Sequence, residues 1–316
     1  MTEAILLALA PVFFVLLLGY GAGRYRLVEN HHVDGLNALV MSFALPASLF
    51  VATASAPRRE MLAQAPLFVI FGGMMLAVFL AWYFYSRAFA QTSKADASLQ
   101  ALTIAFPNLA GVGLPIASSV IGPGGTVPLA VALAAGSIII SPLSLILVEM
   151  SLHKPEAATG SRAMRILGAL RRAVTKPVVL GPALGILFSL TGLSLDPVAR
   201  ACLRLVGEAA PGVALFLTGL VLSSQAFRLD WNVVGATGLA DVIRPLLTAA
   251  IVFVLPVPTD VAKIAILLAA VPSGFFGILF AVNYRLDSAS AGSMVTASTV
   301  FSIVTMAVAI GVLYPQ

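Results

Sequence analysis

Residues 105–113 read Ala-Phe-Pro-Asn-Leu-Ala-Gly-Val-Gly and lie inside a long apolar run. Residues 270–277 read Ala-Val-Pro-Ser-Gly-Phe-Phe-Gly and lie inside another apolar run. A proline within a helix removes one main-chain hydrogen bond and clashes with the preceding turn, which costs about 3 kcal/mol. In each stretch a small or amide residue follows the proline, and glycines lie nearby. We therefore predict two helices that are broken at matching positions.

The composition of the chain places both stretches in a membrane. Of its 316 residues, 60% are apolar and only 10% are charged, and the mean hydropathy is +1.03. A soluble globular domain carries roughly 25% charged residues, so a water-soluble enzyme is excluded. The net charge of +5 comes mostly from basic residues between the apolar runs, where such residues set membrane orientation. We predict no nucleic-acid partner.

Charge-free stretches predict ten transmembrane helices, because a hydrocarbon core of about 30 Å needs about 20 helical residues. The 52 charge-free residues Ala97–Val148 are too many for one span, and the glycine-rich turn at Gly122–Gly125 divides them into two. The other predicted spans are Ala4–Gly23, Gly35–Pro57, Met61–Ser86, Pro177–Leu195, Ala209–Phe227, Trp231–Thr259 (interrupted by Asp241 and Arg244), Ile264–Tyr284 and Ser288–Gln316.

These spans fall into two sets of five. We predict a first five-helix repeat in residues 1–150, a basic cytoplasmic loop in 151–176 and a second repeat in 177–316. Because each repeat has an odd number of spans, the second must be inverted relative to the first. Twelve Lys and Arg residues lie in the loops on one side and five on the other, which predicts both termini on the non-cytoplasmic side. Arginines at helical spacing in the central loop predict a surface helix on anionic lipid headgroups: Arg162, Arg165, Arg171 and Arg172.

The paired breaks also indicate a function. Unwound main chain at membrane depth survives only where protein buries it or where it lines a wet cavity. Interrupted spans at equivalent places in two inverted halves are the best sequence indication of a transporter's substrate site. Helix N-termini at such a break direct N–H groups and positive dipole ends at one point. The two breaks therefore predict a site for an anion.

Four segments resemble the auxin efflux carrier family, which comprises the plant PIN-type auxin exporters and their bacterial relatives. The segments are Leu17–Tyr20, Phe43–Pro46, Phe106–Asn108 with Gly113–Pro115, and Val271–Gly274 continuing to Tyr284. The resemblance implies an all-α fold of ten transmembrane helices in two inverted repeats, similar to that of bile-acid symporters and sodium/proton antiporters. Spans four and nine would cross as broken helices between a scaffold and a transport domain. The resemblance also implies elevator-type alternating access for organic acid anions.

The resemblance extends to individual site residues. Asn108 matches the asparagine that in this family reaches the substrate carboxylate, and Pro107 and Pro272 match the crossover prolines. Ser48 stands one place from the polar residue expected in span two, and Ser137 is among the polar groups nearest to an expected glutamine in span five. The predicted substrate-binding residues are Ser48, Pro107, Asn108, Gly111, Ser137, Pro272, Ser273 and Gly274. The chain lacks the acidic residue that plant members carry in span three, which argues against auxin as the ligand. It also lacks a long central loop, and this is typical of bacterial members.

Charged and aromatic residues at or within the spans give further expectations. Asp241 and Arg244 share one helical face of span eight, and a charge inside a membrane suggests function. Asp241 could couple a proton to transport, or it could form a local ion pair with Arg244, which with Pro245 could anchor a helix end. We expect Glu149 and Glu208 to face water. Trp82 and Tyr83 near the end of span three read as interfacial belt residues.

No enzyme motif or ATP-binding loop is present, so we predict a carrier that uses no cofactor or metal. An interior-negative potential favours exit of an anion by about 2.3 kcal/mol per charge per 100 mV. We therefore expect export or facilitated diffusion of small carboxylates across a bacterial inner membrane. A cation/proton antiporter and a proton-coupled carboxylate symporter on the same fold are the alternatives. A homodimer could form through the scaffold spans.

Overall fold

The structure is a computed structural model, and it describes residues 2–29, 33–113, 116–117, 120–122, 125–152, 167–168, 171, 175–224 and 227–314. These residues form helices and contain no strand. We number the helices as follows: α1 Thr2–Arg24, α2 Val33–Ala54, α3 Arg58–Ala63, α4 Ala65–Ala88, α5 Lys94–Ala105, α6 Val127–Leu152, α7 Pro177–Thr191, α8 Pro197–Gly207, α9 Ala209–Ser223, α10 Trp231–Val254, α11 Thr259–Ala269, α12 Phe276–Asn283 and α13 Ala289–Leu313.

Six stretches of the described chain are long and apolar enough to cross a membrane: α2, α4, α6, α8 with α9, α10 and α13. Two shorter apolar helices are Phe13–Arg24, within α1, and α7. The described residues are therefore all-α, with several helices whose length and composition suit a membrane span. The predicted surface helix of the central loop lies largely outside the described residues, as do Leu114 and Pro115; of its arginines only Arg171 is described, and it is helical.

Proline shapes three of the long helices in the same way. The π-helical turns Val40–Ala44 in α2, Gly136–Ile140 in α6 and Leu239–Ile243 in α10 each end two residues before a proline. Proline offers no N–H to the turn before it and crowds that turn, so the helix widens locally instead of breaking. Such π turns often lie at functional sites.

The helices pack in two groups. In one group, α1 lies along α9 and α7 lies along α2. A Cβ at Gly181 of α7 would lie 2.6 Å from the Pro46 carbonyl oxygen of α2, so only glycine permits this approach, as is common where membrane helices pack. In the other group, α4, α5 and α6 pack together and meet α10, α11, α12 and α13. This second group contains both predicted breaks.

Three features of the helices differ from what the sequence predicts. A helix that was not predicted, α8, comes before the helix that starts at Ala209 as expected, and only Glu208 separates the two. The Asp196 carboxylate caps α8 by accepting the N–H groups of Val198 and Ala199 at 2.9 and 3.1 Å. Trp82 is not an interfacial residue: it is buried between α4 and α5, and its Nε1 donates to Gln100 Oε1 at 3.4 Å.

The third concerns Glu149, which is buried and does not face water. Its Oε1 accepts a hydrogen bond of 2.8 Å from the Tyr284 hydroxyl. The Nζ of Lys176 lies 5.4 Å from the centroid of the Tyr284 ring. By contrast, Glu208 is exposed, as expected, and forms an ion pair with Arg204 at 2.6 Å.

Candidate functional site at the paired helix breaks

The first break follows α5. Helix α5 ends at Ala105, and Phe106 turns to an extended conformation with φ −94° and ψ 106°. A π-helical turn, Leu109–Gly113, begins two residues after Pro107 and contains Gly111. The carbonyl of Asn108 accepts the N–H groups of Val112 and Gly113, both at 3.0 Å. A new helical segment therefore begins at Leu109, two residues after the proline.

The second break follows α11 in the same manner. Helix α11 ends at Ala269, and α12 begins at Phe276 after a non-helical stretch that contains Pro272, Ser273 and Gly274. Each proline lies two or three residues past a helix end, so its missing N–H interrupts no hydrogen bond within that helix. Both predicted breaks are therefore present at the predicted prolines.

The two breaks pair with each other. Pro107 and Ser273 form an isolated antiparallel bridge. The N–H of Asn108 donates to the Pro272 carbonyl at 2.8 Å, and the N–H of Gly274 donates to the Phe106 carbonyl at 2.8 Å and to the Thr103 carbonyl at 3.1 Å. Each break thus satisfies main-chain groups of the other, which is required where water is absent.

Gly274 is needed for this pairing. A Cβ added there would collide with the Phe106 carbonyl oxygen and would lie 3.3 Å from that of Pro107. Aromatic rings fill the space beside the junction: the Phe106 and Phe276 rings have centroids 4.6 Å apart, and Phe275 stacks on Phe276 at 5.6 Å. These phenylalanines are buried in the protein core.

A buried arginine lies behind the junction. Arg244 follows the π turn of α10 and has no exposed surface. Its Nε donates to the Ala269 carbonyl at 2.9 Å, its Nη1 donates to the Ile104 carbonyl at 2.5 Å, and its Nη2 donates to the Val271 carbonyl. Arg244 thus contacts the C-terminal ends of two other helices, α5 and α11, from within a span.

Asp241 connects to the second break through a serine. The hydroxyl of Ser298, on α13, donates to Asp241 Oδ1 at 2.8 Å and accepts the N–H of Ser273 at 2.8 Å. Among the described residues, Asp241 Oδ2 and Ser273 Oγ are buried without a hydrogen-bond partner. The three hydrogen bonds of the Arg244 guanidinium go to main-chain carbonyls and not to Asp241.

The two remaining predicted site residues lie apart from this pairing. Ser137 belongs to the π turn of α6 and is buried, with no partner for its hydroxyl among the described residues. It follows Gly136, which packs on the Phe106 ring. Ser48 lines a cavity of about 440 Å³ that also includes Arg200 and Arg204. The structure thus brings together Pro107, Asn108, Pro272, Ser273 and Gly274, with Gly111 in the next turn.

Two features of the site were missed in the sequence. Ser298 is one of many small polar residues in α13, and nothing in its spacing distinguishes it. The role of Arg244 could have been suspected, because an arginine within a predicted span needs several acceptors. Its acceptors are main-chain carbonyls, however, and the sequence does not show which carbonyls come together when the two breaks pair.

An all-helical chain with several apolar spans and two buried, mutually bonded helix breaks has the features of a membrane transport protein. The chain belongs to the auxin efflux carrier family: the family model described as "Membrane transport protein" matches residues 4–310.

Relatives of similar length carry transporter names. The chain is 26% identical to the "Uncharacterized transporter YfdV" of Escherichia coli K12 over 297 residues, which is 94% of each chain. It is also 26% identical to an "Uncharacterized transporter" of Methanothermobacter thermautotrophicus over 310 residues, 96% of each chain. It is 22% identical to a "Putative malonate transporter" of Rhizobium meliloti over 309 residues, 96% of this chain and 93% of the relative.

Proposed function

We propose that this protein is a secondary transporter for small organic acid anions and that the paired helix breaks form its substrate site. The observation that carries this proposal is the mutual bonding of the two breaks through Asn108 and Gly274. Two helical N-termini, at Leu109 and Phe276, begin directly beyond the pairing. Their positive dipole ends favour an anion, and the Asn108 side chain can donate to a carboxylate without adding a charge.

We propose an inverted repeat of ten spans as the frame of this site. The six long spans, the two shorter apolar helices and the two broken helices add to that number. The packing supports the inversion: α1 of the first half lies along α9 of the second, and α7 of the second half lies along α2 of the first. These four helices would form the scaffold, past which the group holding the breaks moves as an elevator.

We place the protein in a bacterial cytoplasmic membrane with both termini outside, the orientation that the loop charges favour. Loop 151–176 would then contact anionic lipid headgroups. Large exposed apolar side chains on α1 and α7, such as Phe14, Leu17 and Leu187, suit contact with lipid or with a second copy through the scaffold helices.

We propose export or facilitated diffusion driven by the membrane potential, at about 2.3 kcal/mol per charge per 100 mV. The first substrates to test are malonate and other short carboxylates, given the printed name of the Rhizobium meliloti relative. A cation/proton antiporter is less favoured, because a guanidinium already lies against the C-terminal helix ends of the crossing.

A proton-coupled carboxylate symporter is the second candidate. The observation that favours it is the chain of hydrogen bonds from Asp241 through Ser298 to the Ser273 N–H. This chain offers a route by which protonation of a buried carboxyl could affect the second break.

Proteoliposomes containing purified protein test the proposal. Efflux of radiolabelled malonate should exceed that of empty vesicles and should accelerate when a potassium diffusion potential makes the interior negative. Asn108→Ala should abolish most of the flux, whereas Asn232→Ala, a matched change at the start of α10, should not. If no carboxylate in a panel of short mono- and dicarboxylates moves faster than in empty vesicles, the proposal is wrong.

A further inference from the structure

Arg244 is the one charged side chain that bonds both broken helices within the part of the chain that the structure describes. It lies on neither of them but on α10, at the first residue after a π-helical turn. That turn rotates the following residues relative to a regular helix. The result is a fully buried guanidinium aimed at the point where α5 and α11 end.

The groups that Arg244 contacts share one property: they are carbonyl oxygens at helix C-termini. Ile104 is the second-last residue of α5, Ala269 is the last residue of α11, and Val271 lies two residues beyond. The last carbonyls of a helix lack intrahelical partners. Each helix end also carries about half a negative charge. The C-terminal ends of α5 and α11 together therefore carry about one negative charge, which the guanidinium of Arg244 balances.

Clustered carbonyl oxygens at broken helices are also what a coupling cation uses. In secondary transporters, unwound carbonyls and half-helix C-termini coordinate sodium or protons. The neighbouring Asp241 carboxyl, whose Oδ2 has no hydrogen-bond partner among the described residues, would complete an oxygen-rich set of ligands. In this protein, the guanidinium of Arg244 lies among those oxygens.

We propose that Arg244 is a built-in counter-cation, which holds the C-terminal ends of both broken helices and occupies the place of a coupling sodium ion. The helical N-termini at Leu109 and Phe276, on the other side of the two breaks, are then left to bind the carboxylate. This binding needs no sodium. The second part rests on the proposed function. The first part concerns the carbonyl cluster alone and can be tested without any substrate.

The test uses three variants of the full-length protein. Arg244→Gln removes the charge and leaves the carbonyls in place. Arg244→Lys keeps the charge but loses the planar fork that serves three acceptors. Arg228→Gln removes an exposed arginine and is the matched control. Thermal unfolding of each detergent-purified protein is followed in sodium chloride and in choline chloride of equal ionic strength, with no carboxylate present.

The unfolding temperatures of wild type and Arg228→Gln should be the same in both salts. Arg244→Gln should unfold at a lower temperature in choline chloride and recover part of the loss in sodium chloride, because the vacated oxygens then bind sodium. Arg244→Lys should lie between them and should show no sodium response. Specific stabilisation of the wild type by sodium would overturn the proposal, and so would a folded Arg244→Gln that ignores sodium.

A second measurement decides the matter if Arg244→Gln does not fold. Malonate binding to wild type and to Arg244→Lys is compared in the two salts. We expect sodium to leave both affinities unchanged, because a guanidinium or an ammonium group already lies among the carbonyl oxygens. A wild-type affinity that rises with sodium contradicts the proposal. If neither malonate nor another carboxylate binds, the proposed function is wrong. The proposal for Arg244 is then tested by the unfolding temperatures of the wild type and Arg244→Lys in the two salts, and stabilisation of the wild type by sodium contradicts it.

Discussion

The first helix break and the second share a main-chain plan but differ in the side chains attached to it. In the first, an amide residue, Asn108, follows the proline, and a π-helical turn begins at once. In the second, Ser273 follows the proline, and its N–H is bonded to Ser298, which in turn bonds Asp241. The main chain brings the two breaks together, whereas the side chains differ, with an amide at the first break and a charged network at the second.

The largest effect should come from the main-chain contact that the two breaks share. In Gly274→Ala, the new Cβ would collide with the Phe106 carbonyl, so the main chain of one of the two buried segments would have to shift. We expect destabilisation of about 1–3 kcal/mol, the usual range for overpacking, with loss of all transport. Thermal unfolding in detergent measures it.

Gly238→Ala in α10 is the control, because a Cβ there meets nothing within 4 Å. It should leave the unfolding temperature unchanged or raise it, as helical Gly-to-Ala changes do where space allows. Equal unfolding temperatures for Gly274→Ala and wild type would mean that the two breaks do not approach as closely as described.

An intermediate effect should follow from removing the charge on the second side. On the proton-coupled alternative, Asp241→Asn should abolish most of the malonate flux that an imposed proton gradient drives, because asparagine cannot bind and release a proton. Flux driven by membrane potential should fall much less, because Asn108 is intact. Proteoliposome assays with each driving force imposed separately provide the measurement.

Asp230→Asn is the matched control for that change, since Asp230 caps α10 through the N–H of Val233 at 2.8 Å and asparagine caps equally well. If Asp241→Asn responded to a proton gradient as the wild type does, Asp241 would have no part in coupling, and the two sides would differ less than proposed.

The smallest effect should come from an arginine outside both breaks. Arg204 forms an exposed ion pair with Glu208 one helical turn away, and such pairs contribute about 0.2–1 kcal/mol. Arg204→Gln should therefore shift the unfolding temperature only slightly, whereas Arg244→Gln should shift it strongly. Similar shifts for the two would contradict the assignment of Arg244 to the helix ends.

The sequence predicted the breaks because Pro107 and Pro272 are each followed by a small or amide residue and by nearby glycines. Proline alone would not have been enough, since the helices with Pro46, Pro142 and Pro245 widen without breaking. The sequence did not predict which way side chains face, since this depends on packing between helices: Trp82 and Glu149 both lie inward. The pairing of Ser298 with Asp241 joins residues 57 positions apart and leaves no pattern in the chain. Helix α8, by contrast, could have been predicted, because Asp196 followed by Pro197 is typical of a helix start.

The most direct test of the account is carboxylate binding by wild type and Asn108→Ala, measured as thermal stabilisation. A ligand at 100 times its Kd stabilises by about 2.7 kcal/mol, which is readily seen. We predict that one short carboxylate stabilises the wild type and that Asn108→Ala, folded and equally stable alone, binds it at least tenfold more weakly, because a hydrogen bond to a charged group contributes about 1.5–3 kcal/mol. Equal stabilisation of both proteins would remove Asn108 and the first break from the substrate site.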